Sequence, residues 1–96
     1  MINIVVKKYV KEENRTEFLK AVQPLVDGSK NESGNISYNI SLDPNDPNVI
    51  YFIENWESAE YVRNIHCATD HVVNVVPTLE KFYFAEGTEV WLDPVI

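Results

Sequence analysis

"ISYNISLDPNDPNVIYFIENW", residues 36–56, is the stretch on which the fold turns. Its first seven residues alternate strictly. Ile36, Tyr38, Ile40 and Leu42 fall on one side and Ser37, Asn39 and Ser41 on the other, the period of a half-buried strand. "DPNDPN" (43–48) then reads as a turn, because proline fixes φ and Asp or Asn side chains hydrogen-bond their own backbone. "VIYFIENW" (49–56) is a second strand. Its apolar run lacks a clean period, which predicts a place in the middle of the sheet with both faces covered.

Working outward, Ile2 to Tyr9 alternates weakly and reads as a first strand. Asn14 followed by Glu17 has the spacing of a capping box, and Phe18, Val22, Leu25 and Val26 form a helical stripe behind it. Pro24 is expected to kink that helix or end its regular part, and Gly28 with "NESG" (31–34) to close it. On the other side, Ser58 is a good N-cap for a helix running to about Thr69, with Val62, Ile65, His66 and Thr69 on one stripe. A further helical piece carries Val72, Val75, Val76 and Leu79 and is perturbed by Pro77. Strand-formers lie on both sides of Gly87 between Phe82 and Leu92. The order β-α-β-β-α-β is that of an α+β, ferredoxin-like split βαβ sandwich.

Two helices cover only one face of a four-stranded sheet. The other face would carry apolar or aromatic residues, either Tyr51 or Phe52 among them, and a homodimer is expected to close it.

Ninety-six residues predict one domain over 1–96, and a hydrophobic content of 45% with 24% charged residues is ordinary for a folded chain. The net charge of −7 argues against nucleic acid as a partner, which calls for a basic stripe, and against anionic membrane surfaces. Lys7, Lys8 and Lys11 form too small a cluster to hold a polyphosphate. Cys67 is the only cysteine, so no disulfide forms within the chain. "MINIVVKKYV" reads as neither a signal peptide nor a membrane span, and a cytoplasmic location is the expectation.

His66 on the core stripe admits three readings. It is a buried neutral histidine satisfied by a carbonyl or carboxylate, a general base or acid facing a pocket, or a metal ligand. The third fares worst. His66 and His71 lie five residues apart, about 140° around a continuous helix, and would converge only if the helix broke at Asp70. No cysteine or acidic cluster completes a site, so no metal is expected. Cys67 points about 100° away from His66 on a helix, which disfavours a nucleophile–base pair. Glu54 and Trp56 share a strand face. They are a cross-strand ion-pair partner and a core tryptophan, or else a pocket wall in which Glu54 orients a histidine. Tyr38 reads as core with its hydroxyl at a pocket edge.

Taken together, "ESGNISYNISLDPNDPNVIYFIENWES" (32–58) resembles the central signature of the antibiotic biosynthesis monooxygenase family. The matching pattern is an acidic residue and Gly, an alternating strand with a Tyr, a D-P turn, and Glu-x-Trp closing the next strand. The family's following helix carries two histidines five residues apart, the spacing of His66 and His71. The family usually sets the first of them nine residues after the Trp, whereas Trp56 and His66 are ten apart, so either histidine is a candidate for the pocket.

The resemblance implies a dimeric ferredoxin-like α/β-barrel with a small apolar pocket between sheet and helices. It implies a cofactor-free monooxygenase acting on a small aromatic hydroquinone or anthrone and O₂. His66 would be the catalytic base, and Asn3, Tyr38, Phe52, Glu54, Trp56 and His71 would meet the substrate. The haem-degrading branch of the family fits poorly, since Ile65 and Val75 stand near where its Trp and iron-binding His belong. Two alternatives remain open: an isomerase of a small phosphorylated or oxygenated metabolite, with Lys7 or Lys8 near the opening, and a non-catalytic dimeric ligand-binding module.

Overall fold

The computed structural model describes all 96 residues. β1 (Ile2–Tyr9) leads through a 3₁₀ turn into α1 (Arg15–Lys30), which is followed by the hairpin β2 (Asn35–Leu42) and β3 (Val49–Trp56). α2 (Ala59–Asn64), a second 3₁₀ turn at His66–Ala68 and α3 (Asp70–Leu79) precede β4 (Thr88–Leu92). The sheet is wholly antiparallel in the order β2-β3-β1-β4, the ferredoxin-like arrangement. The turn between β2 and β3 is built as its sequence dictates. Asp43 Oδ1 accepts from the amide of Asn45 and Asp46 Oδ1 from that of Asn48.

Strand alternation sorts the sheet into two faces. Ile2, Ile4 and Val6 of β1 and Ile50, Phe52, Glu54 and Trp56 of β3 point to the helices and are buried. Phe18, Val22, Leu25 and Val26 of α1 close on them, with Val62 of α2 and Leu79 of α3. Across the opposite face, Ile53 pairs with Val5 and Val5 with Val90, an apolar row over three strands that no helix covers. The central position predicted for β3 is therefore observed, but within one chain only its helix-side face is shielded. Phe52 belongs to the core and Tyr51 to the open face.

Several local expectations are corrected. Asn14 forms no side-chain cap; the 3₁₀ turn before it leads straight into α1, and Glu12 O accepts the amide of Arg15. α1 runs on through Pro24 and Gly28 to Lys30, since its buried stripe continues past both. β2 is an edge strand, so Tyr38 is buried while Ile36 and Leu42 stay exposed, and a bulge leaves Ile36 unpaired. The helix after Ser58 does not reach Thr69. It ends at Asn64, the chain tightens at His66–Ala68, and α3 starts at Asp70. Ile65 consequently turns outward, 51% exposed, while Val62 and His66 stay buried.

Candidate active site

A cavity of about 190 Å³ lies between the helix-side face of the sheet and the helices. Twelve of its seventeen lining residues are hydrophobic, so it suits an apolar ring system. Ile4, Val6 and Phe52 form its floor, and Leu25, Val72 and Leu79 its helical side. The other five lining residues are Lys8, Glu54, His66, Glu80 and Glu89, and Tyr38 and Tyr83 add their hydroxyls. Of the residues expected at the site, Tyr38, Phe52, Glu54 and His66 line this cavity.

Asn3, Trp56 and His71 do not. Asn3 sits between Ile2 and Ile4 on β1, and alternation sends it to the opposite face of the sheet, level with Asn55. Trp56 is fully buried and stands behind the cavity wall, its ring centroid 4.1 Å from that of His66. His71 opens α3 and turns towards α1 rather than into the cavity.

Both histidines instead meet one carboxylate. His66 Nδ1 lies 2.6 Å and His71 Nε2 2.8 Å from Glu32 Oε2, while the Tyr61 hydroxyl donates to Glu32 Oε1 at 3.3 Å. Glu32 belongs to the short turn joining α1 to β2. Two glycines bracket it and admit its partners. A Cβ on Gly28 would stand 2.5 Å from His71 Cγ, and one on Gly34 would stand 2.6 Å from the Tyr61 ring. The 3₁₀ turn is pinned by Thr69 Oγ1, which donates to the carbonyl of His66. The breaks on either side of His66–Ala68 let two side chains converge that a continuous helix would separate.

Protonation follows from these contacts. With Glu32 ionised, His66 donates its Nδ1 proton to the carboxylate, so its Nε2 carries the free lone pair. Burial pushes the His66 pKa below the usual histidine range, against the opposing pull of Glu32, which favours the neutral ring. Glu54 is neither a cross-strand ion-pair partner nor the partner that orients a histidine; its Oε1 accepts from the Trp56 indole N–H at 2.9 Å. Burial in the apolar wall raises the Glu54 carboxyl to about 7, a rise the indole hydrogen bond partly opposes. Burial likewise pushes up the Tyr38 and Tyr83 hydroxyls, which stay protonated donors at neutral pH.

Glu32 is the functional candidate that reading residue by residue overlooked. The signal was its place in "ESG", an acidic residue two before a glycine in the family pattern.

Comparison with known proteins agrees with this architecture. No curated protein matches the chain. A crystal structure of an antibiotic biosynthesis monooxygenase is 29% identical, covers 100% of both chains and superposes with a TM-score of 0.88. A conserved protein of unknown function from Bacteroides thetaiotaomicron VPI-5482, described as a possible oxidoreductase, is 27% identical over 95% of this chain and 94% of its own, with a TM-score of 0.81. A conserved protein from Methanosarcina mazei Go1 shares the fold, with a TM-score of 0.88 at 24% identity over 95% of this chain and 89% of its own. The sequence profile described as antibiotic biosynthesis monooxygenase matches residues 1–77, from β1 through most of α3, and the chain belongs to that family.

Proposed function

We propose that the protein is a cofactor-independent monooxygenase of a small, uncharged hydroquinone, acting as a homodimer with His66 as the base. The observation that carries this reading is His66 in the wall of an apolar cavity with its Nδ1 2.6 Å from Glu32, a contact that in the neutral ring commits Nδ1–H to the carboxylate and leaves the lone pair on Nε2. An electron-rich phenol needs only deprotonation before it can give an electron to O₂. His66 takes that proton, the phenolate reduces O₂, and recombination forms a hydroperoxide on the ring. Loss of water then leaves one oxygen atom on the hydroxylated quinone. The protein supplies a largely apolar cavity, the base, and protonated Tyr38 and Tyr83 as donors to developing oxyanions.

Cavity size and charge narrow the substrate. A cavity of roughly 150 Å³ accommodates benzene, so about 190 Å³ fits one substituted ring or a fused pair better than a three-ring anthrone. Glu80 and Glu89 face a single cation, Lys8, which disfavours a phosphorylated metabolite and with it the isomerase alternative. Lys7 lies on the other face of β1, paired with Tyr51. The apolar row Ile53–Val5–Val90 is the surface through which two copies pack.

The test is O₂ uptake by the purified protein with benzo- and naphthohydroquinones in EDTA, beside a His66→Ala variant. Uptake that survives EDTA and collapses in the variant is the expected result. Equal uptake by both proteins removes His66 from the chemistry. No uptake above the autoxidation blank leaves a ligand-binding module.

A further inference from the structure

The convergence of two imidazoles on one carboxylate is more than a proton-transfer site requires. Orienting His66 takes only Glu32; His71, outside the cavity, adds a second ring on the same oxygen. His66 Nδ1, His71 Nε2 and a carboxylate oxygen of Glu32 all lie within 4.8 Å of one another. We propose that Glu32, His66 and His71 form a binding site for a divalent cation of the zinc and cobalt class, placed behind the cavity rather than in it.

Three arguments support the site. The first is donor chemistry: two imidazole nitrogens and one carboxylate select zinc, cobalt or nickel over magnesium or calcium, which prefer all-oxygen shells. Three protein ligands also leave a fourth position for water. The second is geometry. Both ring nitrogens already aim at the point now held by Glu32 Oε2, at 2.6 and 2.8 Å. Zinc–nitrogen bonds of about 2.0–2.1 Å and zinc–oxygen bonds of similar length require the rings to close in slightly and the carboxylate oxygen to back away by about 2 Å. Glu32 sits in a short turn, and its other oxygen has only the long 3.3 Å bond from Tyr61, so little besides the two histidines holds the carboxylate in place. The third is access. The His66 side chain is 8% exposed and that of Glu32 7%, but the His71 side chain is 20% exposed, which gives an ion and its water a way in.

The proton balance is closed. With both rings neutral, the contacts in the metal-free state direct the Nδ1–H of His66 and the Nε2–H of His71 at Glu32. A cation takes the lone pairs of those two nitrogens, and each ring keeps one proton by moving it to its other nitrogen. His66 then presents Nε2–H where it had presented a lone pair. This consequence rests on the oxygenase reading: an occupied site converts the base into a donor and stops turnover. The binding itself does not rest on that reading.

The experiment titrates Co²⁺ into the full-length, EDTA-stripped protein, reading the visible absorption of the bound ion and its displacement by Zn²⁺. One Co²⁺ per chain with the intense bands of a four-coordinate N/O site, at least 10-fold weaker in both Glu32→Gln and His71→Asn, is the expected outcome. Thermal melts with and without Zn²⁺ give a second readout, a stabilisation in the wild type that is absent from whichever variant folds. Binding unaffected by either substitution places the ion elsewhere and overturns the proposal, as does no binding by the wild type. Co²⁺ bound without inhibition of O₂ uptake leaves the site standing and removes only its link to His66.

Discussion

The ring of His71 occupies the space where a side chain on Gly28 would begin, with Cγ 2.5 Å and the His71 Cβ 2.9 Å from the Cβ position. Both atoms are close to the α3 backbone, so the neighbour cannot swing aside cheaply. Gly28→Ala therefore opposes two effects. Alanine inside a helix ordinarily stabilises by about 0.5–1 kcal/mol. Overpacking between helices costs about 1–3 kcal/mol. The clash is expected to win, giving a net loss of about 1–2 kcal/mol in urea unfolding. A variant as stable as the wild type, or more so, shows that α1 and α3 separate freely.

Glu32→Gln tests the carboxylate that holds both histidines. The amide keeps the shape but removes the charge-assisted bonds from His66 and His71 and brings N–H groups towards theirs. Loss of such bonds costs about 1.5–3 kcal/mol. Loss of an orienting partner lowers activity roughly 10–100-fold. The effect on O₂ uptake should fall on kcat, with KM little changed, because Glu32 does not line the cavity. A change confined to KM would place Glu32 against the substrate instead.

Much of this arrangement was legible in the residues, and the misses have physical causes. The hairpin at 36–56 could be read because alternation and turn chemistry are local. The same alternation, Ile2 and Ile4 inward, also fixes Asn3 outward, so its exclusion from the cavity could have been read from β1 alone. The exposure of Ile36 and Leu42 could not, since a strand's place at the edge of a sheet depends on which strands pair. The breaks at Ile65 and Thr69 are similarly tertiary. The sequence there carries neither Gly nor Pro, and the stripe Val62–Ile65–His66–Thr69 fits an unbroken helix. Only the bonds around Glu32 and Thr69 show why the chain tightens. Glu32 itself, 34 residues from His66, could be named from the family pattern but not from spacing.

The open sheet face predicts the oligomeric state. Ile53, Val5 and Val90 are neighbours on three adjacent strands, with Val90 46% exposed. In a dimer packed through this face, Ile53→Lys buries charges without partners and should shift sedimentation from dimer to monomer. The variant should still fold, since Ile53 is outside the main core cluster. A dimer of unchanged affinity would move the interface to another surface.

Glu54 predicts how stability depends on pH. Burial raises its carboxyl from 4.5 to about 7 in the folded chain. Between these values the folded state holds a proton that the unfolded state has released. Stability contributed by this group is thus full below about 4.5 and is lost as pH rises towards and through 7. The full span amounts to roughly 3 kcal/mol at most. Glu54→Gln should flatten the stability profile over that window while keeping the acceptor for Trp56 Nε1. Trp56→Phe supplies the complementary test. It removes the indole donor and leaves a void in a fully buried site, costing about 2–4 kcal/mol. Because the indole bond favours the ionised carboxylate, its loss should move the Glu54 midpoint upward, measurable by following the carboxyl resonance through a pH titration. A midpoint that stays put or falls in Trp56→Phe means that the indole does not hold the Glu54 carboxylate in solution.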